Sequence, residues 1–331
     1  MKKNISIIMS CILAVGLISG CSKTWTKIYG GSSDDAFFSV QQTMDGGYIL
    51  AGLTYSYGAG LGDFWLIKTN ANGIKQWNKT FGGSSEDWAY SVQQTKDGGF
   101  ILAGVTYSYG AGAYDAWLIK TDTNGETCDY SVNGNCYENE SKWVKTFGGS
   151  NWDRTSSVHQ TKDGGYILAG YTTSYGAGSY DAWLIKTDTN GETCDYSSDG
   201  NCYENESKWV KTFGGSDWED YDVAYSVQET SDGGYILAGK TCTYQGAWII
   251  KTDASGETCD YSFPGDCYEN ESKWVKIFFR GIGDSEAWSV QQTKDGGYIL
   301  AGYTKSYGAG SYDAWFIKTD AKGNAPPTPT P

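Results

Sequence analysis

The residues of this chain that could do chemistry fall into a few repeated groups. Six cysteines form three Cys-x7-Cys pairs: Cys128 with Cys136, Cys194 with Cys202, and Cys259 with Cys267. Each pair lies in an insert reading Gly-Glu-Thr-Cys-Asp-Tyr and then Cys-Tyr-Glu-Asn-Glu-Ser. Two thiolates without a histidine fall short of a four-ligand zinc site. Local disulfides are therefore expected, each stabilising by roughly 2.5 kcal/mol through lost chain entropy. A Ser-Tyr-Gly-Ala-Gly segment recurs around Tyr57, Tyr109, Tyr175 and Tyr307. A second segment places Trp88, Trp152 and Trp218 beside Asp87, Asp153 and Asp217. Flat rings next to carboxylates suit sugars, because rings stack on C–H faces and carboxylates accept hydroxyl hydrogen bonds. The competing expectation is that the tyrosines pack the loops and the acids only solvate a rim.

Catalytic signals are thin. The single histidine, His159, stands where the other repeats carry Gln41, Gln93, Gln228 and Gln291. It is kept as a ligand-binding candidate, against the simpler expectation of drift within a strand. No nucleophile pattern accompanies it. The acids recur from repeat to repeat as structural residues would, so no singular pair suggests glycoside hydrolysis. No catalytic residue is assigned, and no metal ligand. Asp122-Thr123-Asn124-Gly125 faintly suggests a calcium loop, but its glycine falls at the wrong offset for an EF-hand. A hairpin turn accounts for it better. Calcium at the acidic inserts is the one cofactor with any support, and that support is weak.

These residues must be positioned by a repeat. Asp-Gly-Gly-(Tyr/Phe)-Ile-Leu-Ala-Gly begins at Asp45, Asp97, Asp163, Asp232 and Asp295. Trp-(Leu/Ile/Phe)-Ile-Lys-Thr follows at Trp65, Trp117, Trp183, Trp248 and Trp315. A Trp-x-Lys segment opens at Trp25, Trp77, Trp143, Trp209 and Trp274. In the second unit, strands are expected at 91–95, 100–106 and 116–121, preceded by a fourth at 76–81. Four-stranded units of this length predict an all-β, five-bladed β-propeller of antiparallel blades. Thr24 to Tyr29 reads as an isolated fourth strand, so it is expected to complete the last blade and close the ring. The loops bearing the tyrosines and tryptophans would share one face, and the inserts the other. The tryptophans of the third and fourth strands are expected in the core.

Composition agrees. The 331 residues include 45 glycines, 15% aromatics and only 19% charged residues, with a net charge of −14. An acidic chain without a basic stripe repels phosphate, which excludes nucleic acid as a partner. The aromatic content excludes general disorder. A monomer is expected.

At the N-terminus, Lys2 and Lys3 precede an apolar run from Ile5 to Ile18, too short to span a bilayer. It ends in Leu17-Ile18-Ser19-Gly20-Cys21, which resembles the lipobox of prokaryotic lipoproteins. That resemblance implies a signal peptide over 1–20 and a lipidated start at Cys21, with 21–23 leading into the propeller. Acyl chains on Cys21 would anchor the protein to a membrane. Losing the leader takes the charge from −14 to −16. The repeats resemble kelch-like propellers, and more closely the DGGYILAG…WLIKTD…W.KTFGG propeller repeats of bacterial and archaeal surface proteins. The resemblance spans Trp25 to Thr319, and implies a fold and surface placement rather than a reaction. The propeller is assigned to 24–322 and a disordered Pro/Thr-rich tail to 323–331. The expected role is a non-catalytic binding module for glycan or protein at the cell surface or envelope. The alternatives are a propeller glycosidase or lyase, and a structural envelope scaffold.

Overall fold

The alternation of turn glycines with runs such as Tyr-Ile-Leu-Ala-Gly produces strands, and among the described residues no helix. The computed structural model describes residues 24–326 apart from 197–199, 216–220, 242–245, 261–265, 280–284, 306–307 and 309–310. Blade 1 contains β1 (Asp35–Gln42), β2 (Tyr48–Thr54), β3 (Asp63–Thr69) and β4 (Lys75–Phe81). Blade 2 contains β5 (Asp87–Gln94), β6 (Phe100–Thr106), β7 (Asp115–Thr121), β8 (Cys136–Asn139) and β9 (Lys142–Phe147). Blade 3 contains β10 (Asp153–Gln160), β11 (Tyr166–Thr172), β12 (Asp181–Thr187), β13 (Cys202–Asn205) and β14 (Lys208–Phe213). Blade 4 contains β15 (Val223–Glu229), β16 (Tyr235–Thr241), β17 (Gly246–Thr252), β18 (Cys267–Asn270) and β19 (Lys273–Phe278). Blade 5 contains β20 (Ser285–Gln292), β21 (Tyr298–Thr304) and β22 (Asp313–Thr319). All pairings between these strands are antiparallel, and the molecule is a five-bladed β-propeller.

The uniform four-strand blade needs correction. Blades 2, 3 and 4 carry five strands, because each insert folds back and adds a short outer strand: β8, β13 and β18. The disulfides Cys128–Cys136, Cys194–Cys202 and Cys259–Cys267 close these inserts as expected. The inserts are also not confined to one face. Tyr130 of the first insert packs edge-on against Tyr109, with ring centroids 5.7 Å apart.

The last blade is three-stranded, and residues 24–30 form no strand beside it. That N-terminal segment lies on blade 1 instead. Trp25 Nε1 donates to the Ala71 carbonyl at 3.2 Å, and the Tyr29 hydroxyl donates to Gly73. Its side chains thus make the contacts that a fourth strand makes with the following blade, while the backbone ladder to β22 is missing. The faces that blades 5 and 1 turn toward each other stay bare: Val40 and Phe316 are 64% and 70% exposed, whereas their counterparts Val92 and Leu118 are buried between blades. At the other end, residues 323 and 324, assigned above to the tail, belong to the propeller. Asn324 O accepts the Asp320 amide at 2.9 Å and Gly323 packs against Trp274, so both belong to the last turn of blade 5.

Neighbouring blades join by a recurring rule. The strand-4 tryptophan of one blade lies on the turn glycine after strand 3 of the next. Gly191 has φ +75°, and a Cβ there would sit 2.5 Å from the Trp143 ring, so only glycine fits. Near the axis, side chains of one first strand accept backbone N–H groups of the next. Val158 N–H donates to Ser91 Oγ at 3.2 Å, and Gln160 N–H donates to Gln93 Oε1 at 2.6 Å. Seven of the ten strand-3 and strand-4 tryptophans are buried: Trp65, Trp117, Trp143, Trp183, Trp209, Trp248 and Trp274. They form the interblade core, as expected.

Candidate binding face

The Ser-Tyr-Gly-Ala-Gly tyrosines pack the loops. Tyr57, Tyr109 and Tyr175 lie against Trp65, Trp117 and Trp183, with ring centroids 5.9, 5.6 and 6.2 Å apart. Their hydroxyls donate to the carbonyls of Gly30, Gly82 and Gly148. Asp87 and Asp153 are fully buried. Asp153 Oδ2 accepts from Gly149 N–H at 2.8 Å and from Ser174 at 2.6 Å, and its other oxygen accepts from Thr172. Asp87 accepts from Gly83 N–H at 2.9 Å and from Ser108 at 2.7 Å. These carboxylates satisfy loop donors that would otherwise be orphaned, so they hold the two loops to strand 1. Asp122 likewise accepts from the amides of Asn124 and Glu126, as a hairpin turn requires. His159 sits between blades, its Nδ1 3.2 Å from Gln93 Nε2. Burial holds its pKa below the usual imidazole value, so it stays neutral at pH 7. Cys21, Tyr307, Trp218 and Asp217 lie outside the described residues.

Trp88 and Trp152 behave differently, because they join an aromatic path running across the blades. Phe38 meets Tyr90 at 5.5 Å, Tyr90 meets Trp88 at 6.4 Å, and Trp88 meets Tyr107 at 6.5 Å. Tyr107 then meets Tyr114 at 4.7 Å, and Tyr114 stacks on Trp152 at 5.7 Å with ring planes 10° apart. Trp152 continues to Tyr180 and Tyr180 to Tyr221, at 6.4 and 3.7 Å. Lys240 lies 5.2 Å above Tyr221 and pairs with Glu286 at 3.0 Å. Trp288 donates to Glu286 at 2.7 Å and meets Tyr303, which meets Tyr312.

Two backbone features aim these rings. A β-bulge in each first strand leaves Phe38, Tyr90, Ser156, Tyr225 or Trp288 out of register. The residue before strand 3 also bridges to the loop entering the next blade, as Tyr114 does to Trp152 and Tyr180 to Tyr221.

No family model and no curated protein matches this chain. Among solved structures it is similar to Sqt1 from Chaetomium thermophilum, at 9% identity over 88% of this chain and 70% of that one, with a TM-score of 0.40. A hypothetical protein from Leishmania major matches at 10% identity over 87% of this chain and 88% of that one, with a TM-score of 0.39.

The face presents neutral hydroxyls. Burial pushes the Tyr90 and Tyr180 hydroxyls up to about 12, and raises those of Tyr55, Tyr107, Tyr114, Tyr171 and Tyr225 as well. At pH 7 these groups donate and accept hydrogen bonds; none is an ionised nucleophile. Among the described residues, Glu86 and Glu286 of the face are already engaged. Tyr55 donates to Glu86 at 3.2 Å, while Glu286 holds Lys240 and Trp288. Among the described residues, no group of three or more His, Cys, Asp or Glu side chains could hold a metal ion.

A cleft of about 710 Å³ opens between blades 3 and 4, lined in part by Asp181, Phe213, Gly214 and Asp260. In the two preceding seams the corresponding space holds Tyr130 and Tyr196, whose hydroxyls accept from Gly82 and Gly148 N–H at 3.2 Å. The blade-4 counterpart is Tyr261, outside the described residues. The cleft is therefore part of the blade seam.

Several face residues escaped the sequence reading: Arg154, Lys240, Glu286 and the tyrosines beyond the recurring loops. They occupy positions where the repeats disagree. The residue following Asp35, Asp87, Asp153, Asp222 and Ser285 is Ala36, Trp88, Arg154, Val223 and Glu286 in turn. Its cross-strand partner is Leu53, Val105, Tyr171, Lys240 or Tyr303. Comparing the blades position by position would have found them.

Proposed function

We propose that this protein is an exported, lipid-anchored propeller whose aromatic face binds glycan without transforming it. The observation that carries this reading is the path of rings from Phe38 to Tyr221, continued through Lys240 and Glu286 to Trp288 and Tyr312, whose first-strand members vary between otherwise uniform blades. Residues serving the fold repeat from blade to blade. On the face, Tyr114, Tyr180 and Tyr312 repeat before Asp-Ala-Trp, while the first-strand positions beside them differ from blade to blade, which is the pattern of a surface shaped for a ligand. Rings flanked by neutral hydroxyls provide stacking and hydrogen bonding together, the two interactions a sugar uses. Three disulfides fit an oxidising, extracytoplasmic setting, and Cys21 supplies the anchor.

A glycan array on the propeller should return ligands that Trp152→Ala loses. Trp152 is 45% exposed and stacks on Tyr114, so its removal should weaken binding about tenfold, roughly 1.4 kcal/mol, with the melting temperature unchanged. Capture of proteins alone, with no glycan bound, would refute the glycan reading. The anchor is tested separately. Cys21→Ser should release the protein from the membrane fraction, and unchanged fractionation would exclude lipidation at that residue.

A further inference from the structure

We infer that Arg154 is a carboxylate receptor, and that the sugar taken by the aromatic face is an acidic one, a uronic acid. The inference rests on the glycan reading above and specifies its substrate class.

Arg154 is one of only two arginines in the chain. It opens toward the face from the second position of β10, opposite Tyr171 across the β10–β11 ladder. Its guanidinium carbon lies 3.7 Å above the centre of the Tyr90 ring. That contact fixes the plane of the group without using its hydrogen-bond donors. The Nε–H is buried and has no acceptor. Among the described residues Arg154 makes no ion pair. The contrast with the lysines is sharp: Lys68, Lys120, Lys186 and Lys251 are each matched to an aspartate within 2.9 Å. Among the described residues no carboxylate pairs with it, and its hydrogen-bond partner is the Tyr171 hydroxyl, whose burial-raised pKa that bond lowers.

Tyrosines from three blades surround it. Tyr90 and Tyr107 of blade 2, Tyr171 of blade 3 and Tyr225 of blade 4 all feel its charge. The Tyr114 and Tyr171 hydroxyls lie 2.7 Å apart, which links the arginine's neighbours to the stacked Tyr114–Trp152 pair. A rigid guanidinium fork ringed by neutral phenols is suited to a planar two-oxygen anion. The adjacent stacked rings are suited to the sugar ring that would carry it. Arg154 would fix the carboxylate, and Tyr114 and Trp152 would hold the pyranose.

The test uses trigalacturonic acid and its fully methyl-esterified form, titrated calorimetrically into the protein. The ester keeps the rings and removes the charge. The unaltered protein should bind the acid at least tenfold more tightly than the ester. Arg154→Gln should weaken binding of the acid at least tenfold so that it matches the ester, abolishing that preference. Arg154→Lys, which keeps the charge but loses the fork, should retain part of it. Circular dichroism confirms that each variant is folded. Equal affinity for acid and ester, or a preference that survives Arg154→Gln, would overturn the carboxylate assignment while leaving the glycan reading intact. Binding of neither probe would overturn the acidic-sugar inference, and the glycan reading falls with it only if the glycan array is also empty.

Discussion

Asp97→Asn should destabilise the protein by about 3–5 kcal/mol, far more than removal of its cationic partner. Lys120 is 1% exposed. Its Nζ donates to Asp97 Oδ2 at 2.8 Å and to the Thr121 carbonyl at 2.9 Å. Burial pushes the ammonium pKa down, and the Asp97 carboxylate opposes that shift. At Asp97, burial works against ionisation, but hydrogen bonds from Lys120 and Thr95 prevail and hold the carboxyl below its usual range. Asparagine keeps an Oδ1 acceptor for Thr95 and for the Gly99 amide, which donates at 3.1 Å. The change therefore isolates the charge. It strands an ammonium in the blade with one carbonyl for company. Lys120→Met strands no charge. It removes one partner of the Thr121 carbonyl and leaves Asp97, with a side chain 42% exposed, free to rehydrate. Its cost should be about 1–2 kcal/mol. Urea denaturation of the two variants gives the order directly. If Lys120→Met proves as costly as Asp97→Asn, the stranded ammonium is not the dominant effect.

The same pair recurs in every blade, which explains why the fold was readable from sequence. Asp-Gly-Gly supplies the turn and the carboxylate, and Trp-x-Ile-Lys-Thr supplies the strand and the cation. Their spacing registers strand 2 against strand 3 each time. The candidate site was less readable, for a physical reason. Tyr109 and Asp87 were chosen because they recur, yet recurrence here marks loop packing and capping. The Tyr109 hydroxyl reaches the Gly82 carbonyl, and Asp87 holds Gly83 N–H and Ser108. A residue that differs between blades serves no common structural need. That logic singled out His159, but His159 points into the seam toward Gln93. Applied one ladder position at a time, it leads to Arg154 and Glu286. What no strand pattern could supply is the bulge, which takes Tyr90 out of register and turns it beneath the guanidinium. The missing ladder between β22 and residues 24–30 was equally hidden, because the segment carries the right side chains for that strand.

Stability should fall as pH rises from about 4 to 6.5, and Asp115→Asn should remove much of that fall. Asp115 is 1% exposed at the seam between blades 2 and 3. Gly148 separates it from Asp153: a Cβ there would lie 1.9 Å from Asp115 Oδ1 and 2.8 Å from Asp153 Oδ2. Only a glycine lets the chain pass between the two carboxylates. Burial raises the Asp115 pKa to about 6, with a further push from Asp153, against the pull of the Gly112 and Ala111 amides. Asp63 is raised in the same way by burial and by Asp87 in the preceding seam. A carboxyl whose folded pKa exceeds its unfolded value binds its proton more tightly in the folded state. Its full contribution is present below about pH 4 and is lost as pH climbs through the folded value. From an unfolded value of 3.8 to about 6, the loss is about 3 kcal/mol at Asp115. The lowered carboxyls of Asp97, Asp163 and Asp232 act oppositely, stabilising above about pH 4 and failing in acid. Asp115→Asn retains an acceptor for Gly112 N–H and cannot ionise against Asp153. The variant should therefore match or fall below the parent at pH 4.5 and exceed it at pH 8. Thermal melts from pH 4 to 8 decide the matter: parallel curves for the two proteins would show that Asp115 does not titrate in this range.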